Sequence, residues 1–128
     1  MAVDIKSLRI GSHILVDGKR ERVRGLDEDN GLIIRFPEEY VLASEVEPIA
    51  ITLELLKELG FKFRKSAGGS WCISDKKGGY FYVTVCSDST CIVTHYPDFG
   101  FQSRVVCTYL HELEAFLYLT TQTELIPD

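Results

Sequence analysis

The chain has 128 residues and a formal net charge of −5, with 45% hydrophobic and 26% charged side chains. These values are those of one ordinary globular domain and exclude a long disordered chain. No stretch approaches the roughly 20 apolar residues of a membrane-spanning helix, and the first residues lack the basic and apolar regions of a secretory signal. The negative charge argues against a nucleic-acid binder, which ordinarily presents a basic surface. We therefore expect a cytoplasmic protein that does not enter membranes.

Residues 1–48 predict a small β-rich module of tightly connected strands. Ile14 and Val16 belong to the first strand and residues 20–26 to the second. Asp17-Gly18 between them is a strong hairpin signal, because glycine tolerates the positive φ of a two-residue turn. Further strands follow at 32–36 and 40–43. Strands this short and this closely joined predict a curved, barrel-like antiparallel sheet.

Residues 49–128 predict a second module, of the α+β type. A short helix over 53–59 has Thr52 as its N-cap and Gly60 just past its end. Strands are predicted at 61–64, 71–74, 80–86 and 91–96, and a helix at 105–119. The apolar residues of this last helix recur at helical spacing: Val106, Leu110, Leu113, Phe116 and Leu117. The order of elements predicts an α+β fold in which the C-terminal helix packs on an antiparallel sheet. We expect the two modules to form one compact unit.

Three stretches of the chain resemble those of one family. They are Leu8-Arg9-Ile10-Gly11, then Pro48-Ile49-Ala50-Ile51-Thr52 with Gly60-Phe61, and finally Tyr109-Leu110-His111-Glu112-Leu113. They resemble the segments LRIGN, PIPLT with GF, and YVHQLQNLYFALTGEEL of small uncharacterised bacterial proteins, often encoded in prophage or mobile-element surroundings. Ser12, Ala50 and Gln122 stand where that family has Asn, Pro and Gly. The resemblance implies a shared fold and a cytoplasmic, phage-related setting, and it carries no activity.

The second run of strands contains the best candidate for an interaction surface. A four-residue loop after Cys86 predicts that Cys86 pairs with Cys91 and Tyr82 with His95. Tyr80, Tyr82 and His95 then share one face, while Phe81, Val83, Val85, Ile92 and Tyr96 form the more apolar face toward the core. Outward aromatic residues are typical of interface anchors. The alternative is that another element of the chain covers them.

The cysteines and histidines show no pattern of a metal site or of catalysis. Cysteines at 72, 86, 91 and 107 lack the paired short spacings of zinc ligands, so we expect free thiols, no metal and no cofactor. A Cys–His nucleophile pair has no local signature here. His111 is predicted on the polar side of the last helix. We therefore expect that the protein is not an enzyme.

Arginines at alternate positions mark a second candidate surface. Arg20, Arg22 and Arg24 are predicted to lie on one face of a strand, where they would contact phosphates. The alternative is a solvated strand face that nearby acidic residues balance. The leading hypothesis is a non-catalytic protein that binds another protein or a copy of itself. The runner-up is a nucleic-acid-binding module that uses the three arginines.

Overall fold

The computed structural model describes residues 5–35, 39–65, 69–86, 90–122 and 124–126. Within these residues the chain forms ten strands and two α-helices, and all strand pairs are antiparallel, which confirms the α+β class. The strands are β1 (His13–Val16), β2 (Lys19–Arg22), β3 (Gly25–Asp27), β4 (Leu32–Arg35), β5 (Glu39–Leu42), β6 (Lys62–Arg64), β7 (Ser70–Ser74), β8 (Tyr80–Val85), β9 (Cys91–Tyr96) and β10 (Ser103–Cys107). The helices are α1 (Leu53–Glu58) and α2 (Leu110–Thr121). Neither is long and apolar enough to cross a membrane.

The chain divides into two units, and α2 contributes to both. The first unit holds residues 1–50 together with 109–115, and the second holds 51–108 together with 116–128. The first turns of α2 therefore belong with the N-terminal strands, and its last turns belong with the five-stranded sheet.

The first unit contains a two-stranded sheet, β1-β2, and a three-stranded sheet, β3-β4-β5. The two-residue hairpin is confirmed, since Asp17 and Gly18 both have positive φ between Val16 and Lys19, which are paired. The prediction of one continuous strand over 20–26 is wrong. The chain leaves β1 after Val23 and begins to pair with β4 at Gly25, so one predicted strand becomes two strands in two sheets. Buried aliphatic residues fill this unit: Leu8, Ile14, Val16, Val23, Ile33, Ala43 and Val46.

The second unit contains the five-stranded sheet in the order β10-β9-β8-β7-β6. Its inner face carries Phe81, Val83 and Val93, which are fully buried. Phe116 of α2 meets Phe81 edge to face, with ring centroids 6.1 Å apart. Lys57 of α1 lies over the Trp71 ring. The helices of this unit therefore contact the inner face of the sheet.

The predicted start and end of α1 are confirmed at the level of single hydrogen bonds. Thr52 Oγ1 accepts the amide of Leu55 at 3.1 Å, which satisfies one of the free donors of the first turn. Gly60 has φ +95 and donates to the Lys57 carbonyl at 3.1 Å. Phe61 donates to the Leu56 carbonyl at 2.9 Å. These two bonds form the Schellman motif that a glycine just past the helix end favours.

The predicted start of the last helix is wrong. Residues 105–107 belong to β10, where Val105 pairs with Val93, and α2 begins at Leu110. A β-branched pair, Val105-Val106, favours a strand there. Glu112 Oε1 accepts the Tyr109 amide at 3.0 Å, one half of a capping box that fixes the actual helix start.

Replacing Gln122 with glycine is expected to raise the free energy of unfolding by about 0.5–1 kcal/mol. Gln122 follows α2 with φ +58 and donates its amide to the Tyr118 carbonyl at 2.7 Å, so it occupies the left-handed position that glycine adopts without strain. Urea unfolding measures the change. Gln122→Ala is the control, because it keeps the Cβ that causes the strain. Equal stability of the two variants would contradict this account.

Candidate functional site

The register of β8 and β9 decides which side chains face outward. The structure pairs Tyr82 with Thr94, Phe81 with His95 and Val85 with Cys91. The predicted Tyr82–His95 and Cys86–Cys91 pairs are therefore wrong by one residue. The Cys86 amide donates to the Thr90 carbonyl, so Cys86 stands opposite Thr90 and not opposite Cys91; residues 87–89 of the predicted loop lie outside the described residues.

A one-residue shift moves every side chain of a strand to the opposite face. His95 consequently lies on the inner face, buried and stacked on Phe81 with ring centroids 4.4 Å apart. Ile92 and Tyr96, predicted to face the core, instead face outward with Tyr80 and Tyr82. The tyrosines of the predicted surface are thus where the sequence put them, and His95 is not.

The outward face of the five-stranded sheet forms a groove of about 700 Å³. It is lined by two tyrosines, three hydroxyl side chains, one isoleucine and one arginine: Tyr82, Tyr96, Ser70, Thr84, Thr94, Ile92 and Arg104. This volume lies in the usual range of ligand sites, about 300–1,000 Å³. Ser70 Oγ and Thr84 Oγ1 are hydrogen-bonded at 2.8 Å, so the hydroxyls of neighbouring strands hold each other in place.

Three tyrosines form a cluster in and beside the groove. Tyr82 meets Tyr96 at a ring distance of 5.2 Å and an angle of 89°, and Tyr80 at 6.4 Å and 52°. Tyr80 and Tyr96 remain 43% and 44% exposed. Because water still reaches these rings, they are available to a partner.

Tyr82 stands directly opposite Cys72 of the neighbouring strand, on the same face of the sheet. Burial raises the pKa of Tyr82, and the Cys72 thiol beside it raises it further. Burial also raises the pKa of Cys72, although the bond to Tyr82 and the charge of Arg64 act in the opposite direction. Both groups are therefore protonated at neutral pH, and the central ring of the cluster is a neutral phenol that packs against both other rings.

All the charged residues at the outward positions of the five strands are cations. Lys62, Arg64 and Arg104 face outward, opposite Cys72, Ser70 and Thr94 respectively, and no carboxylate shares this face within the strands. This is notable in a chain of net charge −5. The cations lie on the two edge strands, and the tyrosines lie on β8 and β9. Strands about 4.8 Å apart place the backbones of the two edge strands about 19 Å from each other.

The loop between β9 and β10 exposes two phenylalanines. Phe99 is 96% exposed and Phe101 is 97% exposed, with Gly100 at φ +110 between them. The loop joins the strands that carry Tyr96 and Arg104, so it adjoins the groove. Aromatic rings this exposed are costly in water and are typical of contact sites. This loop was not predicted as a contact site, although its aromatic–glycine–aromatic sequence, Phe99-Gly100-Phe101, is a recognisable signal for one.

Two buried acid–histidine pairs were also not predicted. In the first unit, Glu114 accepts the His13 amide at 2.8 Å and bonds His13 Nδ1 at 2.7 Å. In the second unit, Asp75 Oδ2 lies 2.9 Å from His95 Nε2. Each pair joins residues far apart in sequence, and we interpret both as structural.

His111 differs from its prediction, because it is buried rather than on a polar side. Its Nε2 lies 3.0 Å from Ser7 Oγ, the separation of a nucleophile and a base. Burial lowers the pKa of His111, and the charges of Glu112 and Glu114 partly offset this. A catalytic base requires a third group to orient it, and His111 Nδ1 is buried without a hydrogen-bond partner among the described residues. We therefore interpret the Ser7–His111 contact as structural.

The three arginines do not form one continuous row on a strand. Arg20 and Arg22 share a face of β2, opposite Leu15 and His13, but Arg24 lies in the short segment that links β2 to β3. Where the chain is described, no group of three or more Cys, His, Asp or Glu residues is arranged to hold a metal ion. The four cysteines are free thiols.

Comparisons of the chain with protein-family models, with curated proteins and with solved structures gave no match. The resemblance to prophage-associated proteins therefore stays a prediction. The groove and the residues around it are therefore the main structural indication of function.

Proposed function

We propose that this chain is a non-catalytic binding protein whose partner docks on the outward face of the five-stranded sheet. One observation carries the proposal: a groove of about 700 Å³ places clustered tyrosines between cationic edge strands, with no carboxylate on the strands' outward face. Tyrosine and arginine are the residues that most often dominate binding energy. The ring of Tyr82 already packs against Tyr80 and Tyr96, so it loses little conformational freedom when a partner covers it.

The charge of this face favours an anionic partner. A local positive surface on a negatively charged chain attracts an anion at the groove and repels it elsewhere, which favours docking in one place. The aromatic rings add contact with a flat or apolar part of the partner. A cytoplasmic, prophage-related setting is part of the proposal and rests on the motif resemblance.

We expect the wild-type protein to bind at least one of three immobilised polyanions, poly-L-glutamate, heparin or oligothymidylate, at low salt. Arg104→Glu and Tyr82→Ala should each weaken that binding by about tenfold or more, because they remove a cation and an aromatic anchor from the groove. Surface plasmon resonance measures the affinities, and thermal melting checks that each variant folds.

Arg20→Glu is the matched control, since it makes the same charge reversal on an exposed strand of the first unit. It should leave the affinity within about twofold of wild type if docking occurs at the groove. The proposal is contradicted if no polyanion binds. It is equally contradicted if Arg20→Glu weakens binding as much as Arg104→Glu.

A further inference from the structure

We propose that the polyanion is a single-stranded nucleic acid, which crosses the sheet from β10 to β6. Its phosphates would contact Arg104 at one edge and Arg64 and Lys62 at the other, and its bases would stack on Tyr80, Tyr82 and Tyr96 between them. The inference rests on the proposed function, because it names the partner of the same groove.

The separation of the charges points to an extended polymer. The cationic edge strands lie about 19 Å apart across the sheet, with the tyrosines between them. The groove extends from Arg104 of β10 to Ser70 of β7, which stands opposite Arg64 of β6, so a partner that contacts the cations of both edges spans the width of the sheet. A chain with one negative charge per nucleotide reaches both edges, and sheet-type sites for single strands hold about 4–16 nucleotides.

The tyrosine cluster supplies the surface on which bases stack. Tyr80 and Tyr96 are each less than half exposed, and the ring of Tyr82 packs against both of them. Exposed aromatic rings on a β-sheet bind unpaired bases because every base has a flat apolar face. Loss of one such contact weakens binding by about 10-fold to 100-fold.

The phenylalanines of the β9–β10 loop extend the same surface. Phe99 and Phe101 are almost fully exposed at the end of the hairpin that carries Tyr96 and Arg104. A base stacked on either ring removes it from water. Because the loop continues from Tyr96 at the end of β9, the nucleotides that stack on the tyrosines are the ones expected to contact it.

Geometry favours a single strand over a duplex or an acidic peptide. A duplex keeps its bases stacked on each other, out of reach of rings that lie on a sheet. An acidic peptide supplies carboxylates for the cations but no regular series of flat faces for the tyrosines. Only a partner whose bases stack on the ring should bind more tightly to an aromatic side chain at position 82 than to an aliphatic one of similar size.

Fluorescence anisotropy with labelled probes tests this: single-stranded oligothymidylate and oligouridylate of about twelve nucleotides, a duplex of equal length, and poly-L-glutamate. We expect the single strands to bind about tenfold tighter than the duplex or poly-L-glutamate. Tyr82→Leu should weaken oligothymidylate binding by about tenfold or more, while Tyr82→Phe, which keeps the ring, should stay within about threefold. Arg104→Glu should reduce the slope of log affinity against log salt by about one or more between about 50 and 200 mM salt.

The outcomes separate this inference from the proposed function. If poly-L-glutamate or the duplex binds best, and Arg104→Glu abolishes that binding while Tyr82→Leu does not affect it, the single-strand inference is overturned and the groove remains the binding site. If oligonucleotide binding depends on Arg20 and not on Arg104, the inference is overturned and the proposed function fails with it. If every probe binds and neither the Tyr82 nor the Arg104 variants change its affinity, the inference and the proposed function are both rejected.

Discussion

Replacing Glu114 with alanine is expected to lower the free energy of unfolding by about 3–5 kcal/mol. Glu114 and His13 are both buried, and the carboxylate accepts two hydrogen bonds from His13, one from the amide and one from ring Nδ1. Alanine leaves both donors without an acceptor in a place that water does not reach. Each buried donor that loses its partner costs about 1–3 kcal/mol.

Glu114→Gln separates hydrogen bonding from the loss of the side chain. The amide oxygen of glutamine still accepts the His13 amide, and its nitrogen donates to Nδ1 when the ring proton of His13 lies on Nε2. We expect this variant to lose about 1 kcal/mol. Urea unfolding of both variants at neutral pH gives the comparison. Equal losses would show that the hydrogen bonds to His13 do not carry the stability.

The features that the sequence predicted correctly depend on a few neighbouring residues. The Asp17-Gly18 turn and the Thr52 and Gly60 caps of α1 each follow from local backbone geometry, which one glycine or one hydroxyl decides. The α+β class followed from the order of such elements. Local chemistry of this kind does not depend on the rest of the fold.

The features that were predicted wrongly depend on tertiary contacts or on loop lengths that the sequence does not determine. The predicted β8–β9 register paired Cys86 with Cys91 across four residues, whereas the actual bond joins Cys86 to Thr90 and leaves three residues between them. This shift by one residue exchanged His95 for Tyr96 on the outward face. The outward position of Arg104 was not predicted, because Val106 also fits the apolar stripe of a helix and the strand β10 was therefore assigned in part to that helix. The groove therefore emerged only when register and β10 were known.

Buried acids were equally invisible in the sequence. Glu114 lies among polar residues of an amphipathic helix, and its partner His13 is 101 positions away. The helical pattern predicts that such a carboxylate is exposed to solvent, because a charged residue is rarely buried unless it has a partner, and the pattern shows no partner. The partner becomes apparent only in the folded chain.

Replacing Asp75 with alanine is expected to cost about 3–5 kcal/mol at about pH 5. Its Oδ1 accepts the amides of Lys77 and Gly79 at 2.7 and 2.8 Å, and its Oδ2 bonds His95 Nε2. The carboxylate thus fixes the turn between β7 and β8 and positions His95 against Phe81. Asp98→Ala, at an exposed aspartate of the next turn, is the control and should cost less than about 0.5 kcal/mol.

The same variant has a pH dependence whose sign follows from the pKa of Asp75. Burial alone would raise this pKa, but the bond from His95, the amides of Lys77 and Gly79 and the charge of His95 together hold it below the ordinary value of 3.8. A lowered carboxyl pKa contributes stability above the unfolded pKa, and the contribution disappears as the pH falls through the folded pKa. The difference in unfolding free energy between wild type and Asp75→Ala should therefore shrink from about pH 5 toward about pH 2. Chemical unfolding at intervals across this range measures it, and a difference that stays constant would contradict the lowered pKa.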